Sequence, residues 1–196
     1  MSPTIAFFIF DDAEELDWVG PWEVLSAWSH GWPDDNVTAF TVAQKDGAVR
    51  CAKGLRVLPD HTWDSVPPFD VLIYPGGIGT RSQIGDAEIR TWVRQQAAAE
   101  TLIASVCTGS LVLADSGLLD GLPATTHWAS IDHLGSLGSG IEVRPDERFV
   151  DSGRIVTAAG VSAGIDMALH LVARLHSVGR AREIRRSIQY DPQPPV

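Results

Sequence analysis

The sequence predicts an α/β fold, a mainly parallel sheet sandwiched by helices. Two observations predict it. Short apolar runs at residues 5–10, 71–74 and 102–106, with a strand-like run at 37–42, read as strands buried on both faces. Stretches with apolar residues at helical spacing separate them, as in a parallel sheet built from crossover units.

Taken in order, residues 5–10 form the first strand. Residues 14–28 follow with Leu16, Val19, Val24, Leu25 and Trp28 at helical spacing; Gly20-Pro21 is expected to break this helix near its start. The strand at 37–42 ends before the turn pair Asp46-Gly47, and 55–58 is a short extended piece. Pro67-Pro68 closes a loop ahead of strand 71–74, which Pro75-Gly76-Gly77 stops. Asp86 has the character of an N-cap for a helix through Ala99. After strand 102–106, a helix over 108–116 ends at Gly117. Residues 149–150 and 154–157 flank Asp151-Ser152-Gly153, the turn of a hairpin that adds local antiparallel pairing. Residues 163–175 form a strongly apolar helix. Residues 1–190 read as a single domain and 191–196, DPQPPV, as a proline-rich tail.

The 196 residues carry 15 basic and 25 acidic side chains, a net charge of −10. A field of that sign repels phosphate backbones and anionic lipid, so neither nucleic acid nor a membrane is an expected partner. The apolar run at 4–10 lacks a basic leader, is followed at once by Asp11 and Asp12, and is too short to span a bilayer. The two cysteines, Cys51 and Cys107, do not make a disulfide framework, and a reducing cytoplasm is the expected location. No zinc-ligand spacing, phosphate loop or dinucleotide fingerprint occurs, so no metal and no cofactor are expected.

The chemistry concentrates around residues 101–119. An apolar strand ends at Val106, Cys107 follows, then Thr108-Gly109 and a helix. This is the layout of a nucleophile elbow, with cysteine in place of serine. It sets the sulfur at the carboxyl end of the sheet and near a helix N-terminus, which favours thiolate. The plainer alternative is a buried apolar cysteine. Pro75-Gly76-Gly77 allows backbone N–H groups to approach a ligand, and the Gly77 amide is a candidate oxyanion donor; otherwise it is a turn. Asp17 follows the first strand, where a buried acid with a raised pKa suits proton donation; Asp11, Asp12, Glu14 and Glu15 compete for that role. His127, in Thr125-Thr126-His127-Trp128, is either a base for Cys107 or a histidine held at the site edge by a hydrogen bond.

The chain resembles the ThiJ/PfpI superfamily, and within it the isonitrile hydratases. The stretches that carry the resemblance are ELDWVGPWEVL (15–25), LIYPGGIGT (72–80), SVCTGSLVLADSGLLDG (105–121), ATTHW (124–128), AAGVSAGIDMALHL (158–171) and QYDPQPP (189–195). The resemblance implies a flavodoxin-like fold related to class I glutamine amidotransferases. It implies Cys107 as nucleophile, Asp17 as the acid hydrogen-bonded to it, and Thr108 as the following threonine. Gly77 and Ile78 match the loop whose amides face the sulfur, and His127 the histidine near the site. It further implies a small-molecule substrate, an isonitrile hydrated to an N-substituted formamide, and a homodimer. Other readings are a cofactor-free glyoxalase-like enzyme and a non-enzymatic ligand or redox sensor. The peptidase-like branch has histidine after the cysteine; Thr108 stands there instead, which counts against peptidase or amidase activity. Val161 occupies a position where a larger apolar residue is expected.

Overall fold

The structure is a computed structural model, and it describes residues 2–193. In chain order the elements are β1 (Thr4–Phe8), α1 (Glu15–Gly31), β2 (Thr38–Ala43), β3 (Val49–Arg50), β4 (Arg56–Val57), β5 (His61–Thr62), β6 (Val71–Tyr74), α2 (Thr80–Gln83) and α3 (Ala87–Ala98). There follow β7 (Leu102–Val106), α4 (Gly109–Asp115), β8 (Pro123–Ala124), α5 (Ile131–Leu137), β9 (Glu142–Val143), β10 (Phe149–Asp151), β11 (Ile155–Ala158), α6 (Ala163–Leu175) and α7 (Val178–Ser187).

The main sheet has the order β10-β11-β7-β6-β1-β2-β5. All its pairings are parallel except that of β10 with β11, the expected hairpin. The chain starts in the middle at β1, moves outward through β2 and β5, then returns to β6 on the other side of β1. The carboxyl ends of β1 and β6 therefore bound a topological switch point, where crevices open in such sheets.

Alternate residues of each strand enter opposite cores, because successive side chains point to opposite faces. Ile5, Phe7, Val71, Ile73, Ala104 and Val106 pack with Val24, Leu25 and Trp28 of α1, Met167 and Leu171 of α6, and Ile184 of α7. Ala6, Phe8, Leu72, Tyr74 and Ile103 pack with Ile89, Trp92 and Val93 of α3, Leu111 and Val112 of α4, and Leu134 of α5. Double-sided burial is the reason the strands read as unbroken apolar runs. The result is the expected flavodoxin-like α/β sandwich. No helix of the described residues is long and apolar enough to cross a membrane.

Two differences from the sequence reading have physical causes in the packing and the caps. Helix α1 runs unbroken through Pro21. The missing N–H there only frees the Asp17 carbonyl, while Val24, Leu25 and Trp28 anchor the rest of the helix in the core. Glycine on each side of the crossing lets α1 and α6 approach closely. A Cβ on Gly20 would meet Ile165, and one on Gly164 would meet the Pro21 ring, each at 3.0 Å. Helix α7 was not expected, because its arginine-rich sequence lacks an apolar run. It is started by Ser177, whose hydroxyl accepts from the Arg180 N–H, and docks through Ala181 and Ile184. The expected cap at Asp86 is present, its carboxylate accepting from the N–H groups of Glu88 and Ile89. Of the expected tail, residues 194–196 lie outside the described residues.

One glycine ties the fold to the site. A Cβ on Gly109, the first residue of α4, would lie 2.5 Å from the Tyr74 carbonyl oxygen and 2.8 Å from that of Pro75. These are backbone atoms of the neighbouring strand end and cannot step aside cheaply. Gly109→Ala should destabilise the fold by about 1–3 kcal/mol despite the better helix propensity of alanine. The check is a lowered urea midpoint at unchanged m-value.

Candidate active site

Cys107 is the single residue between β7 and Thr108, and it has φ +56°. A left-handed conformation is uncommon for a non-glycine residue and persists only when its surroundings enforce it. They do so here on both sides of the residue. Its N–H donates to the carbonyls of Ala158 and Ala159, both at 3.1 Å, at the end of β11. Its carbonyl accepts from the hydroxyl of Thr126 at 2.9 Å and of Ser110 at 3.1 Å. The elbow expected from the sequence is present, and its side chain is 6% exposed.

Asp17 reaches the same point from the first turn of α1 and is fully buried. Gly76 N–H donates to Asp17 Oδ2 at 2.9 Å. Asp17 Oδ1 is buried without a nitrogen or oxygen partner, and the neighbouring polar group is the Cys107 thiol. The competing acids are all engaged elsewhere, at the β3–β4 hairpin or in solvent. Asp11 accepts from the Arg50 N–H, Glu14 pairs with Lys53, Glu15 accepts from the Lys53 N–H, and Asp12 is exposed. Spacing could not choose among them; the hairpin's donors do.

Burial is the largest cause of perturbation at both groups. It pushes the Asp17 carboxyl up to about 7, against the pull of the Gly76 amide. It pushes the Cys107 thiol up to about 12, and the charge of Asp17 adds to this. The amides of Thr108 and Val161 bond the sulfur and pull the other way without prevailing. The expectation that a helix N-terminus would favour thiolate is thus corrected: α4 is one short helix of seven residues, and burial beside a carboxylate outweighs it. Below about pH 7 both groups are protonated; above it the two hold one proton between them, as thiol with carboxylate or as thiolate with carboxylic acid.

The other expected residues gather around this pair. Gly77, Ile78, Thr108 and His127 line a cavity of about 220 Å³ together with Cys107, Glu14, Arg81 and Val161. The Gly77 amide, however, donates to Thr108 Oγ1 at 3.0 Å. It is the amides of Thr108 and Val161 that meet the sulfur, because Gly77 is drawn back against Asp12 and Glu14 (φ +120°, with no room for a Cβ). Gly76 is equally constrained: a Cβ there would lie within 2.8 Å of Asp17 Oδ2 and closer still to Thr108. His127 caps the turn that follows it, its Nδ1 accepting from the Ala129 N–H at 3.2 Å. That bond places the proton on Nε2, and the ring packs on Gly160. The hydrogen bond expected to hold this histidine at the site edge is therefore present.

Two contributors escaped the sequence reading: Thr126 holds the elbow carbonyl, and Arg81 lines the cavity. Val161 (φ +46°), singled out for the size of its side chain, contributes instead an amide to the sulfur. Val161 follows the carboxyl end of β11, the strand next to β7, and that position was the available signal. Among the described residues no group of three or more His, Cys, Asp or Glu side chains is placed to hold a metal ion.

A flavodoxin-like sheet with a cysteine elbow at its carboxyl end, faced by an acid from the first turn of α1, defines a class of α/β proteins. Residues 3–174 match the model of the DJ-1/PfpI family, and the chain belongs to that family. It is 38% identical over 195 residues to the isonitrile hydratase of Pseudomonas putida, spanning 100% of this chain and 82% of that protein. It is 32% identical over 128 residues to the HTH-type transcriptional regulator GbdR of Pseudomonas aeruginosa, spanning 65% of this chain and 34% of the regulator. The crystal structure of a ThiJ/PfpI family protein from Pseudomonas syringae superposes with a TM-score of 0.89 at 32% identity, covering 100% of this chain and 78% of that one.

The raised Asp17 carboxyl has a consequence for stability. Between the ordinary carboxyl value near 4 and about 7, the folded chain keeps a proton that the unfolded chain has lost. Its contribution is fully present below that window and is lost as pH rises through it. Denaturant unfolding of wild type and Asp17→Asn from pH 4 to pH 8 should show wild type losing stability relative to the variant, by about 4 kcal/mol at most. A difference that is flat with pH would mean that Asp17 is ionised throughout.

Proposed function

We propose that this protein is an isonitrile hydratase, converting a small isonitrile to an N-substituted formamide through a thioimidate on Cys107. The observation that carries the reading is the buried Asp17 carboxyl set against the Cys107 thiol at the elbow, in a chain alike over its whole length to an isonitrile hydratase.

In the thiolate form of the pair, sulfur attacks the terminal isonitrile carbon and a C–S bond forms. The carbon takes the proton from Asp17, giving a thioimidate, S–CH=N–R. The Asp17 carboxylate then accepts a proton from water as its oxygen adds to that carbon, and the proton passes to nitrogen. The tetrahedral adduct collapses with the C–S bond breaking; sulfur leaves with the electron pair and the hydroxyl proton returns to the pair. The products are the formamide and the starting enzyme, with one water consumed. Dividing the hydration into two additions is the advantage of a covalent nucleophile. The Thr108 and Val161 amides steady the negative sulfur at both ends of the cycle, and a cavity of about 220 Å³ suits a small substrate.

Formamide production from a small alkyl isonitrile, followed by NMR, tests this. Cys107→Ala should abolish turnover, and Asp17→Asn should lower kcat by about 10²–10⁴-fold while leaving the fold intact. Full turnover by Cys107→Ala would end the proposal.

A further inference from the structure

The cavity over Cys107 is not neutral. Arg81 reaches its rim from α2, and one guanidinium nitrogen is fixed there: Nη1 donates to the Gly77 carbonyl at 2.9 Å, and contacts Thr80 Oγ1 at 3.2 Å and Thr108 Oγ1 at 3.3 Å. Among the described residues, Nε and Nη2 make no intramolecular hydrogen bond, and Arg81 has no carboxylate partner. Arg90, Arg148 and Arg180, by contrast, each pair with an aspartate. The one acid on the cavity wall, Glu14, is already paired with Lys53 across the hairpin. The result is a held, unneutralised guanidinium with its two-donor edge open, beside the threonine that follows the nucleophile. The Nε–Nη2 edge matches a carboxylate bidentately. Ile78, 59% exposed, supplies an apolar wall to the same cavity.

We propose that Arg81 is an anion-binding subsite, and that the substrate is a short isonitrile bearing a carboxylate, an isocyano carboxylate rather than a neutral alkyl isonitrile. The substrate class rests on the hydratase reading; the subsite itself does not. A carboxylate a few bonds from the isocyano group would sit on the guanidinium while the terminal carbon lies over the sulfur. In a chain of net charge −10 this local cation also offsets the repulsion of an anionic substrate.

Two measurements separate the claims. Alkylation of Cys107 by iodoacetate and by iodoacetamide, read by mass spectrometry, requires no isonitrile chemistry. In wild type the iodoacetate-to-iodoacetamide rate ratio should exceed that of a free thiol by about tenfold. Arg81→Gln should return it to the free-thiol value, and Arg81→Lys should keep part of it. Equal ratios in wild type and Arg81→Gln overturn the subsite. In the second measurement, kcat/KM is compared for isocyanoacetate and its methyl ester. Wild type should favour the carboxylate by about tenfold, and Arg81→Gln should lose that preference. Formamide formed from both without preference overturns the substrate class, whereas no formamide from either removes the hydratase reading and leaves the alkylation ratio to decide the subsite.

Discussion

The left-handed backbone at Cys107 is the constraint around which the rest of the molecule is arranged. Such a conformation costs about 1–3 kcal/mol for a non-glycine residue. It is offset by bonds that only this topology brings together: two carbonyls at the end of β11, a hydroxyl from the loop after β8, and one from α4. The parallel pairing of β7 between β6 and β11 fixes the ends of three strands at one level. The elbow therefore meets the Gly76-Gly77 turn on one side and Val161 on the other.

Beneath the cavity that convergence leaves no room for a Cβ at several positions, which explains residue identities that composition alone treats as turn chemistry. Gly76 is glycine because Asp17 and Thr108 occupy the space of a Cβ, and Gly109 because two carbonyls of the β6 exit do. Gly20 and Gly164 bring α1 against α6, and α1 carries Asp17. Through these contacts, the burial that raises the Asp17 and Cys107 pKa values follows from core packing.

Much of this was legible in the sequence, and the illegible part has a common cause. The strands at β1, β6 and β7 declared themselves because both faces of each are buried, and the Asp86 cap because its partners are two and three residues away. The elbow showed as a strand, one cysteine and a helix. Pro21 misled because its effect on α1 is decided by packing against α6, far along the chain. Asp17 stood in a run of five acids whose roles are set by the donors of a hairpin some forty residues away. Thr126 and Arg81 act largely through backbone carbonyls, which no side-chain pattern encodes. Local chemistry writes itself into sequence; contacts between distant backbone and side chain do not.

The protonation of the pair also bears on which electrophile suits it. A thiol raised to about 12 beside a carboxyl raised to about 7 is not a standing thiolate waiting for any substrate. In the proposed hydration it delivers a sulfur and a proton together, from adjacent points, and the carboxylate is regenerated as the thiolate is consumed. Addition to a carbonyl carbon separates the two, since the proton is needed on the oxygen. An isonitrile carbon bears both the electrophilic orbital and the lone pair, so sulfur and hydrogen end on one atom. The compact placement of Asp17 against Cys107, with His127 engaged by the Ala129 N–H at the cavity edge, fits such an addition at a single carbon.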